Sequence, residues 1–328
     1  MKISIIGGGS LGSALAFNYC SNSKYVSIWN RTKITNQTLL DLSKLLNKKK
    51  SLRNSQKLFT ITSSLEEAVH DANVVLLCIK AQSVFEFLNK YSSFLISKPI
   101  VFCSKGIDSK TLLFQTEIGE QFLNKNHFAV LTGPGFAKDI MAQKPIALTL
   151  ACKDNEMGNS IQNFLSTPSI RPYLSSDIIG AQLGGSLKNV IAIACGITEA
   201  KGLGDSSRIA VMTRGFSEIR KIGLALGCNP ETLMGLSGLG DLSLTCNSKL
   251  SRNFNYGKKL VSDVKNSRNT FDTIEGKETA AAACEIADKF SLDVPIIRLV
   301  NYVIKGTIEI DAAINSLLSR PLRKEIEF

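Results

Sequence analysis

Residues 7–12 read Gly7-Gly8-Gly9-Ser10-Leu11-Gly12, set between an apolar run, Lys2–Ile6, and a helix-forming stretch, Leu11–Cys20. A G-x-G-x-x-G spacing that leaves a strand and opens a helix constrains the fold strongly. The first glycine permits a tight turn, the second lets the backbone approach a pyrophosphate, and the third allows close helix–strand contact. The helix start then offers unpaired N–H groups and partial positive charge to the phosphates. Gly7, Gly9 and Gly12 are therefore expected to cradle a dinucleotide. The same glycines interrupt the apolar stretch that Lys2 and Ala14-Leu15-Ala16 would otherwise present as a signal peptide.

The surrounding sequence agrees with such a loop. Val26–Trp29, Asn73–Ile79, Ile100–Ser104, Phe128–Leu131 and Ile146–Cys152 are short apolar runs without alternation, separated by helical patterns. Strands of this kind suit a parallel sheet buried on both faces, so the first half is expected to be a Rossmann-like, doubly wound α/β domain. The pattern changes near Ser176. Ile178–Ala200 reads as one long helix, followed by helical stretches at Ser207–Leu226, Gly276–Phe290, Pro295–Lys305 and near Asp311–Leu318. Pro230 and Pro295 stand where helices would begin. The expected division is residues 1–176 for the dinucleotide-binding domain and 177–328 for an all-helical substrate-binding domain, with no flexible linker between them. A chain of 328 residues is long enough for both.

Composition excludes more than it identifies. With 44% hydrophobic and 20% charged residues the chain is globular in character. No apolar run reads as the roughly 20 residues of a spanning helix, so no stable membrane insertion and a cytosolic location are expected. The eight cysteines are scattered without a CxxC pair, and only His70 and His127 could add imidazole ligands, so neither a metal site nor a disulfide framework is indicated. The net charge of +11 is spread along the chain. Without a nucleic-acid-binding signature it fits an anionic cofactor and a phosphorylated substrate better than nucleic acid. The cluster Lys48-Lys49-Lys50 reads as a solvated loop.

Past the second strand, an NAD site usually carries an acidic residue for the ribose hydroxyls about 20 residues after the loop. Here the residues are Trp29-Asn30-Arg31-Thr32. A guanidinium there could hold a 2′-phosphate, which favours NADP while leaving NAD possible. Arg31 could also stack on adenine or face solvent.

Hydride chemistry also needs a proton carrier. Neither histidine stands in a motif-like setting, and both read as surface residues. Gln182-Leu183-Gly184-Gly185-Ser186-Leu187-Lys188-Asn189-Val190 is more informative, because it sets a lysine at the opening of an otherwise apolar helix. Lys188 either snorkels to solvent or transfers protons. An adjacent Asp would oppose lowering of its pKa, which makes a proton donor in ketone reduction easier to explain than a base. Gly235–Cys246 places Asp241 and Thr245 four residues apart, on one face if the turn is helical; a helix N-cap is the simpler reading of Asp241. In Ser251-Arg252-Asn253, arginine offers planar recognition of a phosphate and asparagine a neutral hydrogen bond. Lys105 lies at the C-terminal end of a predicted parallel strand, the edge where such sheets bind ligands.

Taken in order, GGGSLG, SKGI, GPGFAKD, QLGGSLKNVIAI, GLGDLSLTC, SRN and IEG resemble the NAD(P)-dependent sn-glycerol-3-phosphate dehydrogenase family over nearly the whole chain. The resemblance implies reversible reduction of dihydroxyacetone phosphate with NADP(H) or NAD(H), feeding glycerophospholipid synthesis. It implies a catalytic group of Lys188, Lys105, Asn189, Asp241 and Thr245. Substrate contacts would come from Lys105, Gly133, Gly135, Lys188, Asp241, Ser251, Arg252 and Asn253. Ser10, Leu11, Arg31, Lys105, Ala137, Arg252 and Glu275 would join Gly7, Gly9 and Gly12 around the cofactor. Leu11 replaces the usual aromatic, and Gly135 replaces a residue that usually carries a hydroxyl.

The expected partners are a small phosphorylated substrate and a second copy of the chain in a homodimer. Two other readings remain open at this level. One is a related NADP-dependent hydroxyacid or ketopantoate-type reductase, against which the SRN triplet argues. The other is a dinucleotide-sensing regulatory or nucleic-acid-binding protein, which would not need Lys188 or Asp241.

Overall fold

The computed structural model describes residues 2–31, 58–123, 128–262, 274–322 and 324. Lys48-Lys49-Lys50 and His127 lie outside them. Eight strands form one sheet: β1 Lys2–Ile6, β2 Tyr25–Trp29, β3 Phe59–Thr62, β4 Val74–Leu77, β5 Ile100–Phe102, β6 Phe128–Thr132, β7 Ile146–Cys152 and β8 Ile170–Ser175. Their order is β3-β2-β1-β4-β5-β6-β7-β8. The chain thus winds outward from β1 in one direction and returns to β4 on its other side, the doubly wound pattern.

Continuous apolar runs form the central strands because both faces are covered. Val74 and Leu76 belong to one buried cluster and Val75 and Leu77 to another, on opposite faces of β4. One pairing differs from the parallel expectation: β6 and β7 are antiparallel. The short helix Ala137–Met141 leaves β6 and turns the chain back at the same end of the sheet, without the full crossover a parallel neighbour requires. Two strands were not anticipated, β3 and β8. Both are edges, where one side needs no partner, and their sequences FTIT and IRPYLS lack a continuous apolar run. Pro172 is tolerated in β8 because edge strands can omit a ladder donor.

After Ser175 every described regular element is a helix. Asp177 marks the change. Its carboxylate accepts from Gly180 N at 2.8 Å, capping helix Ile178–Ala200, and from Asn229 N at 2.9 Å. That helix is the axis of the second half, buried on nearly all sides. It has the length and mean hydropathy (1.4) of a membrane span, contrary to the sequence reading, but 89% of that window is buried within the protein. Its Gly196 and the Gly257 of helix Arg252–Ser262 let the two backbones meet: a Cβ at Gly196 would stand 2.0 Å from Phe254 O, and one at Gly257 2.1 Å from Ile193 O. This close crossing brings Arg252 and Asn253 alongside the axial helix. The eight cysteines are thiols, seven buried and Cys78 half-buried, and burial pushes Cys20 and Cys228 up to about 12.

Candidate active site

The ends of the parallel strands place the expected cofactor residues along one sheet edge. Gly7–Gly9 follow β1, Arg31 lies just beyond β2, Lys105 follows β5 and Gly133 follows β6. Gly7 has φ 110°, and a Cβ there would lie 2.7 Å from the Cys78 carbonyl oxygen. A side chain is excluded by conformation and by space. Gly9 is exposed and faces open space, with no atom within 4 Å of where a Cβ would stand. No side chain caps helix Ser10–Ser21 among the described residues, so its first-turn N–H groups can receive an anion. These features fit a dinucleotide pyrophosphate. Leu11 and Ala137 are half-buried against the same apolar cluster, while Ser10 and Arg31 are exposed. A Cβ at Gly135 would meet Ile146 Cδ1 and Leu148 Cδ2 at 3.3 Å, so the first atom of a side chain there would enter apolar surroundings.

A compact polar group forms where the sheet meets the helices. Lys188 is residue 11 of the 23-residue helix Ile178–Ala200, well inside it rather than at its opening. Its ammonium donates to Asp241 Oδ1 at 2.6 Å and Thr245 Oγ1 at 2.8 Å. From the sheet side, the Lys105 ammonium donates to Asp241 Oδ2 at 2.8 Å and Gly133 O at 3.1 Å. One carboxylate thus bridges two ammonium groups from separate halves of the chain. Thr245 donates its hydroxyl to Asp241 O at 2.7 Å, leaving its lone pairs for Lys188. Asp241 reaches this position because a glycine-rich π turn, Leu236–Gly240, runs directly into helix Asp241–Cys246. The carboxylate is the first helical residue and makes no N-cap bond.

Burial dominates the acidity of Lys188. Desolvation lowers its pKa to about 8, with Lys105 assisting, although Asp241 and then Glu275 oppose the shift. Asp241 opposes the lowering, as the sequence reading expects, but desolvation outweighs it. Each ammonium has three N–H bonds, and two of each are taken by described protein acceptors.

A second group lies beside the first. Glu275 accepts from Asn189 Nδ2 at 3.2 Å and from Arg252 Nη2 at 3.4 Å. The Arg252 side chain is 63% exposed, so its guanidinium is open to an incoming anion. Asn253 is buried, and its Oδ1 accepts from Gly276 N at 3.0 Å. Ser251 accepts from Phe254 N at 3.1 Å, capping helix Arg252–Ser262. Sequence reasoning placed Glu275 at the cofactor but missed its link between Asn189 and Arg252, and it missed the tie from Asn253 to Gly276. Both connect segments more than 20 residues apart with no spacing signal. His70 lies away from this group, exposed and 2.8 Å from Asp71.

A buried lysine poised near neutral pH, beside a second ammonium and a dinucleotide cradle, defines a nicotinamide-dependent oxidoreductase of the alcohol–ketone type. Comparison with known proteins narrows that class. Residues 2–158 match the model for the NAD-dependent glycerol-3-phosphate dehydrogenase N-terminus, and residues 177–315 match the corresponding C-terminus model. The chain is 39% identical over 332 residues to a glycerol-3-phosphate dehydrogenase [NAD(P)+] of Parvibaculum lavamentivorans, covering 99% of this chain and 98% of that protein. It is 40% identical over 326 residues to the enzyme so named in Cereibacter sphaeroides, covering 98% and 100%. A glycerol-3-phosphate dehydrogenase crystal structure from Coxiella burnetii superposes with a TM-score of 0.85 at 26% identity, over 97% of this chain and 99% of that one. The chain belongs to the NAD-dependent glycerol-3-phosphate dehydrogenase family.

Proposed function

We propose that this chain reduces dihydroxyacetone phosphate to sn-glycerol 3-phosphate, reversibly, with NADPH or NADH. The observation that carries the reading is the bridging of Lys105 and Lys188 by Asp241. It leaves one N–H on each ammonium for the carbonyl end of a ketone.

When bound, the reduced nicotinamide supplies the hydride to the carbonyl carbon. As that bond forms, the carbonyl π electrons move to oxygen, and Lys188 Nζ donates a proton there. The resulting neutral amine is re-protonated from solvent. Thr245 and Asp241 hold the ammonium in place, and Lys105 adds positive charge where the alkoxide develops. Arg252 grips the substrate phosphate with a planar donor pair, and Asn253 lends its amide N–H groups while its carbonyl holds Gly276. Asn189 and Glu275 orient the clamp beside the lysine. Gly7, Gly9, Ser10, Leu11, Gly12, Arg31, Ala137 and Glu275 line the path of the dinucleotide, with Gly133 and Gly135 flanking the substrate.

In this reading residues 1–176 form the cofactor domain and residues 177–328 the substrate domain. The enzyme works as a homodimer in the cytoplasm and supplies glycerophospholipid synthesis. The test is loss of reduced-cofactor absorbance with dihydroxyacetone phosphate, compared with 2-keto acids. Turnover of the keto acids but not the phosphorylated ketone would assign the site to a hydroxyacid or ketopantoate-type reductase.

A further inference from the structure

Gly184 and Gly185 precede Lys188 by four and three residues on helix Ile178–Ala200, which puts them on its face one turn earlier. Two separate parts of the protein press against them. A Cβ at Gly184 would stand 2.6 Å from Ser237 O and 2.9 Å from Gly238 Cα, both in the π turn that delivers Asp241. A Cβ at Gly185 would stand 2.6 Å from Thr132 Oγ1 at the end of β6. The next nearest atoms there, Thr132 Cβ and Lys105 Cγ, are at ordinary contact distances of 3.7 and 3.8 Å. Gly133, the residue after Thr132, holds the Lys105 ammonium through its carbonyl oxygen. The Thr132 and Ser237 hydroxyls are buried without a hydrogen-bond partner among the described residues. These hydroxyls therefore do not hold the segments to the helix; close packing sets the approach.

We infer that Gly184 and Gly185 are positioning residues of the site, Gly184 setting how near the Asp241 turn comes to Lys188 and Gly185 how near the β6 edge and Lys105 come. The inference rests on the reading of Lys188 as the proton-transferring group. It assigns each glycine a different charge to control. A methyl group at 184 pushes backbone atoms, which cannot swing aside, and so moves the carboxylate away from the Lys188 ammonium. A methyl group at 185 pushes Thr132 and the Gly133 anchor, moves a like charge away, and loosens its hold on Asp241.

The pH dependence of kcat/KM for ketone reduction distinguishes these effects, because removing a carboxylate and removing an ammonium act on Lys188 in opposite senses. Gly184→Ala should move the descending basic limb to lower pH, and Gly185→Ala should move it to higher pH, each by roughly half a unit or more. Both should lower kcat/KM at the wild-type optimum by about tenfold or more. Because the clash at 185 is with one side-chain oxygen, Gly185→Ala/Thr132→Ala should return the limb to that of Thr132→Ala alone. Circular dichroism and thermal melting establish that each full-length variant is folded. An unshifted limb in folded single variants, shifts of the same sign, or no recovery in the double variant would overturn the inference. If Gly184→Ala does not fold, the Gly185 comparison decides alone. If Gly185→Ala does not fold, recovery of fold and limb in the double variant supports the inference, and failure of both defeats it. Wild-type turnover by Lys188→Met would instead defeat the underlying reading, whatever the glycine variants do.

Discussion

Lys188 Nζ stands 2.6 Å from Asp241 Oδ1, although the two residues are 53 positions apart and the lysine emerges from the middle of an apolar helix. The pair has two opposed effects. Burial favours the neutral amine, while the carboxylate favours the ammonium. Burial prevails only in part, leaving the lysine near pKa 8. A proton donor and a proton acceptor are then both populated close to neutral pH, as a reversible reaction requires.

The sign of the pH dependence follows. In the proposed mechanism reduction uses the ammonium, so its kcat/KM should fall as pH rises through about 8. Oxidation of the alcohol uses the amine and should rise through the same range. Asp241→Asn removes the larger of the two charges that oppose desolvation, leaving only Glu275, so both limbs should move down by about one unit or more. Rate profiles in both directions for the two proteins provide the check, and a limb unmoved by Asp241→Asn would assign it to another group.

Replacing Lys188 with Met keeps much of the side-chain volume in a buried position but removes the proton. Turnover should fall about 100- to 10,000-fold, the usual value of a positioned general acid. Cofactor affinity, followed by fluorescence titration, should change little because the glycine loop proposed to hold the dinucleotide follows β1, outside the helix that carries Lys188. Near-wild-type turnover would exclude Lys188 from proton transfer.

These expectations depend on how much of the molecule is legible in sequence. Central strands such as β4 and β5 could be read directly, because burial on both faces demands unbroken apolar runs. The edge strands β3 and β8 could not, since half of each faces water and their signal is no stronger than that of a loop. Lys188 stood out because a charge inside an apolar helix requires a partner. Its partner's geometry did not, because a π turn rather than a regular helix carries Asp241 into place. The simultaneous grip of Glu275 on Asn189 and Arg252 depends on tertiary packing alone. Gly184 and Gly185 were visible as residues, but what presses on them was not.

Arg31 is exposed beyond β2, where no acidic residue takes its place. A guanidinium there can hold a 2′-phosphate by a charged hydrogen bond. Arg31→Ala should therefore weaken NADPH use more than NADH use, by about 1.5–3 kcal/mol in relative kcat/KM. Equal losses would mean that Arg31 packs near the adenosine without reading the phosphate.

Glu218 presents a different pH dependence, in stability. It is buried, and its two oxygens accept from Ile296 N at 2.8 Å and Ile297 N at 3.0 Å at the start of helix Pro295–Lys305. Burial pushes the carboxyl from 4.5 up to about 7, even though those N–H groups and Lys221 hold it down. The folded chain keeps a proton that the unfolded chain loses, so this stabilisation is complete below pH 4.5 and is lost as pH rises through about 7. The loss should be on the order of 3 kcal/mol. Urea unfolding across that window should show the decline in the wild type and a flatter dependence in Glu218→Gln, which also gives up about 1 kcal/mol for one lost acceptor. Parallel curves for the two proteins would assign the decline to other groups.

Arg252 allows the proposed phosphate clamp to be separated from the cofactor site. Its guanidinium is weakly held by Glu275 at 3.4 Å and largely exposed, so an arriving phosphate can take it without breaking a buried pair. Arg252→Lys keeps the charge but loses the planar fork, and should still be impaired by about tenfold or more in kcat/KM. A phosphate gripped away from the carbonyl also positions the reacting carbon, so kcat should fall together with the rise in KM. Unphosphorylated dihydroxyacetone should be a very poor substrate of the wild type, and Arg252→Ala should narrow the gap between the two ketones. Turnover of dihydroxyacetone itself should change little in that variant if Arg252 serves only the phosphate. Equal loss on both ketones would place Arg252 in the cofactor site, where its link through Glu275 to Asn189 would then carry its effect.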